Sequence, residues 1–441
     1  MLYPKRLQIA FLTSTNPKDR RSWSGLHYML GQALEKHVGD VEYLGPVSMR
    51  YLFSFGDLAN KVISWLSGGK RYHYSISVLT ARIYAAVFKA KLRGKHFDFI
   101  FAPASYTEVA FLRTDIPIVQ CGDSTITQLI DYYSGLSNLL EISKKELTYV
   151  EQLAINKSSL LVYSSKWAAE SAIHDFGASM ENVVVLPFGA NLPTVLPREV
   201  VLKHQKGTVC NLLFVGVDWE RKGGEIAFET LVELNESGVD ARLTICGTAP
   251  PVGFKHEKLT VIPFLDKNDT KQLAQLTQLY LDADFFLLPT RAECAAIAFC
   301  EASAFGVPSF TTDTGGIADF VEDDVNGYRL SLAARGSDFA LAINRVFENQ
   351  EVYNRLRISS RQLFEQRLNW DVWGKEMKLI LESHFRPHLR NSRFRAHPSS
   401  VSRVRAKIKE KMYKQQTISG FERRVKNHTC PPDKCGISRN R

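Results

Sequence analysis

Two carboxylates, Glu293 and Glu301, stand with seven residues between them in the stretch 289–303. An apolar run, Asp284-Phe285-Phe286-Leu287-Leu288, feeds into that stretch and reads as a buried strand, while Gly306-Val307-Pro308 stops the run of small residues that follows. A strand, a tight turn and a helix N-terminus cradle an anion, because the first N–H groups of a helix lack partners and its dipole is positive there. Carboxylates beside such a cradle repel an anion. Their chemistry is instead to accept hydrogen bonds from hydroxyls, such as those of sugars. A ligand that is phosphate in one part and polyol in another suits both features. Helix capping and surface exposure are the plainer alternatives. For Glu301, set between Cys300 and Ala302 in an apolar stretch, full solvation is the weaker account.

A second cluster is Arg221-Lys222, directly before Gly223-Gly224. Arg clamps a phosphate with two N–H groups, Lys adds a point charge, and Gly lets the backbone come close. An isolated pair of this kind reads as two surface cations. Here it follows a predicted strand, 211–216, in the same half of the chain as the two Glu residues. That placement favours a diphosphate site.

These residues need elements to hold them. Strand and helix patterns alternate through the first 385 residues, which predicts an α/β architecture with parallel sheets. Strands are expected at 7–12, 98–101, 117–120, 160–163, 183–186, 211–216, 241–246, 259–264, 284–288 and 308–311. Helices are expected at 26–37, 141–156, 225–235, 269–282, 338–347 and 369–385, and one starting at the N-cap Ser164-Ser165. The alternation restarts after a Pro-containing linker at 192–204, so two similar domains form a cleft. Ligands of such sheets bind outside the carboxyl ends of the strands.

A chain of 441 residues suits two domains. No apolar run spans a bilayer, and residues 7–12 read as a strand rather than a secretory signal. The seven Cys are scattered and odd in number, which fits reduced thiols and a cytoplasmic location. The charge of +10 is uneven: residues 386–441 hold 16 Lys and Arg against 3 Asp and Glu, and residues 1–110 hold 15 against 7. Residues 51–95 mix aromatics with Lys and Arg in a helical pattern. They read either as ordinary solvated helices over a core or as a contact with an anionic membrane surface, although no two-faced pattern is traced. The basic tail reads as disordered, either solvated or bound to acidic lipid or nucleic acid. Cys430 and Cys435 have no nearby His or second Cys pair, which argues against zinc.

Together these residues resemble the family-4 glycosyltransferases, retaining enzymes of the GT-B fold that use nucleotide-diphosphate sugars. The resemblance rests on Phe214-Val215-Gly216 through Arg221-Lys222-Gly223-Gly224, on 243–247, and on Ala283-Asp284 through Pro289-Thr290. It rests further on Glu293 and Glu301 followed by Ala302 to Pro308, on Asp313-Thr314-Gly315-Gly316, and on Asn326-Gly327. In the first half, Trp23-Ser24-Gly25, 164–169 and Pro187-Phe188-Gly189-Ala190-Asn191 also fit. It covers residues 5 to about 385, and not the basic tail.

The resemblance implies two Rossmann-like parallel-sheet domains facing across a cleft, a C-terminal helix crossing back, and a disordered basic tail. The implied bounds are 1–195 for an acceptor-binding domain, 196–368 for a nucleotide-sugar domain, 369–386 for the crossover helix and 387–441 for the tail. By the same resemblance Arg221 and Lys222 hold the donor diphosphate, helped by backbone N–H groups of Ala295, Ala296 and Ile297. Glu293 bonds the transferred sugar, Glu301 bonds the ribose, Ile262 and Phe264 border the base, and Gly25 approaches the phosphates from the other domain. Fixed cations would replace a metal, and no Asp-x-Asp metal site is seen. The implied acceptor is a glycan, a lipid-linked molecule or another cell-envelope component, used in the cytoplasm or at the inner face of a membrane. Nucleic acid is not the expected partner of this fold. Two departures stand out. Cys294-Ala295-Ala296 replaces the usual glycine-rich turn, and Gly122-Asp123 stands where relatives carry His-Asp. Asp123 is the candidate replacement. A scaffold that binds a nucleotide or nucleotide sugar without efficient transfer is the alternative these departures raise.

Overall fold

The computed structural model describes residues 6–295 and 297–389. Two six-stranded sheets, all parallel, lie in the compact unit Met1–Lys378. The first holds β1 (Leu7–Phe11), β2 (Gly39–Tyr43), β3 (Phe99–Pro103), β4 (Ile118–Gly122), β5 (Leu160–Tyr163) and β6 (Val183–Val185) in the order β2-β1-β3-β4-β5-β6. The second holds β7 (Cys210–Val215), β8 (Ala241–Cys246), β9 (Leu259–Ile262), β10 (Phe285–Leu288), β11 (Ser309–Thr312) and β12 (Gly327–Leu330) in the order β12-β11-β10-β7-β8-β9.

The burial of these strands explains their parallel pairing. All five residues of β3 and all four of β10 are buried, as strands covered by helices on both faces must be. Their near-continuous apolar runs are what made them visible in the sequence. β2 and β12 were not expected: both are edge strands, and exposed Asp40 and Glu42 in the first and half-buried Arg329 in the second break the apolar run. The strand order reverses between β1 and β3 in the first sheet and between β7 and β10 in the second. At such a reversal neighbouring loops leave in opposite directions and open a crevice at the carboxyl ends. Arg221-Lys222 follows β7 and Glu293 follows β10, so both clusters sit at the second reversal.

Helices fill the intervals largely where the periodicity placed them, with one long addition, Gln350–Gln366, and the short additions Tyr106–Val109, Ile126–Leu129 and Arg198–Val201. Residues 51–95 are divided into Arg50–Leu66 and Val78–Leu92, the second capped by Ser77, which accepts from Thr80 N at 3.2 Å. The linker at 192–204 contains the short helix Arg198–Val201 and is fastened from behind. Buried Arg357 donates to Val201 O at 2.8 Å, and buried Arg361 donates to Leu196 O at 3.0 Å. The final helix, Trp370–Leu389, begins against the first sheet: Trp373 is fully buried with its ring 6.2 Å from Phe101, and Trp370 Nε1 donates to Asn191 Oδ1 at 3.0 Å. The crossing back expected of this helix is thus present. The expected tail beyond residue 389, with Cys430 and Cys435, lies outside the described residues. Among the described residues no helix is long and apolar enough to cross a membrane.

Candidate active site

The loop after β7 is locked against the loop after β10. Gly223 has φ +74°, and a Cβ there would lie 2.0 Å from Pro289 O, so only glycine allows this approach. Arg221 O accepts from Arg291 N at 2.7 Å and from Thr290 Oγ1 at 3.0 Å. This stitching fixes where the two cations point. Arg221 Nε reaches Asp218 Oδ2 at 3.3 Å, Nη1 donates to Ala292 O at 3.1 Å, and the guanidinium lies 3.6 Å from Glu293 Oε2. Lys222 Nζ forms an ion pair with the same Glu293 oxygen. The side chains of Lys222 and Glu293 are only 12% and 8% exposed, so water screens this pair weakly. Glu293 is therefore the internal counter-ion of both cations. The repulsion expected from its charge beside an anion cradle is held in check by that pairing.

The helix Ile297–Ala304 starts just beyond. Ile297 is buried at its first position, Ala295 is partly exposed before it, and Ala296 lies outside the described residues. Glu301, 2% exposed, sits inside the protein as the apolar stretch foretold. It pairs with Lys267 and accepts from Tyr280 OH at 3.2 Å. Lys267 was not singled out in the sequence; its place shortly after β9, at the carboxyl edge of the sheet, was the available signal. Ile262 ends β9, with its carbonyl accepting from Gly247 N at 3.1 Å, and Phe264 next to it is 54% exposed.

The first domain supplies the opposite wall. Trp23, Ser24 and Gly25 have φ of 46°, 55° and 87° in succession. Left-handed backbone at a bulky residue costs about 1–3 kcal/mol and persists only where the surroundings enforce it. Here Trp23 packs edge-on to Phe188 at 5.6 Å, and Asn191 Nδ2 donates to Ser24 O at 2.7 Å. The turn delivers Gly25 to the start of helix Leu26–His37, where it lines one small cavity with Arg20, Tyr28 and Lys267. Asp123, just after β4, stands near Glu293 and Cys294 across the cleft. The protein crowded around it pushes its carboxyl up to about 6, with the Glu293 charge adding and hydrogen bonds from Ser124 and Trp23 holding part of the rise back. Burial, and then the charge of Asp123, drive the Cys294 thiol far up, so it stays protonated and is no nucleophile.

Two aromatic residues in the turn after helix Ile126–Leu129 complete the site and were missed in the sequence. Tyr132 OH accepts from Glu293 N at 2.8 Å and bonds Thr314 Oγ1 at 3.0 Å. The Tyr133 ring lies 5.0 Å from the Arg221 guanidinium, within cation–π range. The paired aromatics themselves were the signal. His27 takes no such part: buried, it bonds Thr15 and Ser22 through Nδ1 at 3.0 Å each and Pro103 O through Nε2 at 3.2 Å. Burial lowers it to about 4, so it is neutral and structural. Among the described residues no group of three or more His, Cys, Asp or Glu could hold a metal ion.

Residues 210–349 match the family described as glycosyl transferases group 1. A protein of Escherichia coli (strain K12) that carries, by name alone, the role of colanic acid biosynthesis glycosyltransferase is 25% identical over 329 residues, covering 72% of this chain and 76% of its own length. Among solved structures, the sucrose-phosphate synthase of Thermosynechococcus elongatus superposes with a TM-score of 0.60 at 16% identity, covering 88% of this chain and all of that one. The Anabaena protein Alr3699/HepE in complex with UDP-glucose superposes with a TM-score of 0.53 at 16% identity, over 86% of this chain and 100% of that one. In sequence and in fold the chain resembles the group 1 glycosyltransferases of the GT-B type.

Proposed function

We propose, with the resemblance to group 1 glycosyltransferases as premise, that this chain moves a sugar from a nucleotide-diphosphate donor to an acceptor with retention and without a metal. The observation that carries the proposal is the pairing of Arg221 and Lys222 with Glu293 at the reversal between β7 and β10. A diphosphate outcompetes one carboxylate for two cations, because it offers more charge and more acceptor oxygens. Its arrival releases Glu293 to accept hydrogen bonds from the sugar. Glu301 takes the ribose hydroxyls, with Lys267 beside it as counter-ion, and Ile262 and Phe264 border the base. Gly25 and the helix it opens face the phosphates from the first domain. Alanine keeps the backbone N–H that glycine would offer, so an anion cradle can survive the loss of glycine wherever the turn needs no positive φ.

The bond from the sugar C1 to the diphosphate oxygen breaks. A bond from C1 to the acceptor oxygen forms on the same face, and the hydroxyl proton ends on the departing diphosphate. Fixed cations stabilise the charge that develops on the leaving group, typically the largest catalytic contribution. Asp123 lies on the opposite wall, placed to bond the sugar or the acceptor. The relative named for colanic acid biosynthesis and the neighbour solved with UDP-glucose support a cell-envelope glycan or lipid-linked acceptor and a nucleotide-sugar donor. Work on such an acceptor suits a peripheral position on the cytoplasmic face of a membrane. A second reading, nucleotide binding without efficient transfer, draws support from Gly122 in place of His and from Glu293 being held by its cations.

The test is transfer from a panel of nucleotide sugars in the presence of EDTA, with the anomeric configuration of the product read by NMR. The expected product keeps the configuration of the donor and forms at an unchanged rate under chelation. An inverted product, or loss of turnover with EDTA, contradicts the mechanism. Binding of a nucleotide sugar with no product for any acceptor favours the second reading.

A further inference from the structure

Helix Arg50–Leu66 turns apolar residues outward. Tyr51, Phe55, Leu58, Val62, Trp65 and Leu66 are all exposed, with Tyr51, Phe55 and Trp65 at 92%, 70% and 82%. At about 100° per residue these six fall within an arc of roughly 100° on one side of the helix. The opposite side is the one that packs. Gly56 is buried with the Tyr74 ring where a side chain would stand, Phe53 lies 5.8 Å from the same ring, and Asn60 exchanges hydrogen bonds with Tyr72 at 2.8 and 2.9 Å. Taken alone the helix is two-faced, with Arg50, Asp57, Asn60, Lys61 and Ser64 away from the outward apolar stripe. Residues 51–95 read as one stretch hide this, because Val78–Leu92 does not share the pattern. A contiguous patch of this kind on a protein surface marks an interaction site.

Charge decides the occupant. Arg50, Lys61, Lys70 and Arg71 are exposed along and just beyond the helix, and Asp57, its one acid, hydrogen-bonds Tyr74 OH. An apolar stripe with Trp and Phe, bordered by Lys and Arg, is the pattern that lies in the headgroup region of an anionic bilayer. The support behind the helix leads to the cleft. Arg71 N donates to Asn138 O at 2.8 Å, and its guanidinium donates to Ser134 O at 2.9 Å and Ser137 O at 3.0 Å. That segment begins beside Tyr132 and Tyr133, which touch Glu293 and Arg221.

We infer that helix Arg50–Leu66 is an in-plane docking element for an anionic lipid bilayer, inserting Tyr51, Phe55, Leu58, Val62, Trp65 and Leu66 and setting the first-domain wall of the cleft beside the membrane surface. The inference does not depend on the transfer reaction, though a lipid-linked acceptor would give the docking its use. The test is flotation of the full chain with vesicles of phosphatidylglycerol and phosphatidylcholine, together with quenching of Trp fluorescence by acyl chains carrying bromine. A chain with Phe55→Asp, Leu58→Asp and Val62→Asp should lose about tenfold or more in vesicle partitioning while keeping nucleotide-sugar binding. Trp65→Phe should remove most of the quenching, a readout that a basic tail held at the surface cannot supply. Equal partitioning of the triple variant, or unchanged quenching in Trp65→Phe, overturns the inference. So does a dimer that the triple variant dissolves and that does not float, since the stripe would then pair with a second copy. Loss of nucleotide-sugar binding with flotation intact counts against the donor site alone.

Discussion

At Glu293 a single carboxylate faces Lys222, Arg221 and, from the other wall, Asp123, and the balance among them sets what the site can bind. Glu293→Gln keeps the shape and removes the competitor of an incoming diphosphate. Free nucleoside diphosphate should then bind more tightly, by about tenfold, while transfer falls by about a hundredfold, as calorimetric titration and initial rates would show. A parallel loss of both would mean that Glu293 only props up the fold. Asp123 adds a pH signature. Its carboxyl is raised to about 6, so the folded chain favours its protonated form. The stability this contributes is fully present below the unfolded value of 3.8 and is lost as pH rises through about 6. Asp123→Asn should therefore melt higher than the parent at pH 8 and no higher at pH 4. If ionised Asp123 serves the reaction, the rate should climb with an apparent pKa near 6 in the parent. That limb should be absent in the variant. A melting difference independent of pH contradicts the assignment.

The loops after β7 and β10 act as one element, because Gly223 lets them touch. Gly223→Ala combines a disfavoured φ of +74° with a Cβ 2.0 Å from Pro289 O. It should lower stability by about 1–3 kcal/mol and weaken nucleotide-sugar binding, since Arg221 and Lys222 are displaced with the loop. Unfolding by urea and a binding titration would check both; full affinity in a destabilised variant would show that the cations do not depend on the loop. What the sequence revealed follows the same physics. Buried runs such as Phe285 to Leu288 and the periodic face of Leu26–His37 were legible, because burial on every side leaves a continuous or 3.6-residue signal. β2 and β12 were not, since Gly39-Asp40-Val41-Glu42-Tyr43 and Gly327-Tyr328-Arg329-Leu330 interrupt their apolar residues with Gly and charge, unlike the edge strands β6 and β9. The order Arg221-Lys222, Glu293, Glu301 carried the candidate site. Tyr132, Tyr133 and Lys267 left only a paired aromatic and a place just after β9 as cues, because contacts across 161 positions, as between Tyr132 and Glu293, leave no periodic pattern.

At the scale of the molecule, directed contacts join the loops of the two sheets. Tyr132 OH holds Glu293 N, Lys166 N donates to Asp319 Oδ2 at 2.7 Å, and Arg20 Nη1 donates to Lys267 O at 3.2 Å. Behind them, Arg357 and Arg361 fasten the linker and the final helix returns to the first sheet. A donor held between these walls, as proposed, would be gripped by both domains, and its binding free energy would add to the stability of the folded chain. The most direct measurement is thermal unfolding of the full chain with and without nucleotide-diphosphate sugars, free of divalent metal, for the parent and for Lys222→Ala. At a concentration about 100 times the dissociation constant the gain is about 2.7 kcal/mol, a rise of several degrees in Tm. The account predicts that rise for at least one nucleotide sugar in the parent and its loss in Lys222→Ala. No shift with any nucleotide sugar, or an equal shift in both proteins, would contradict it.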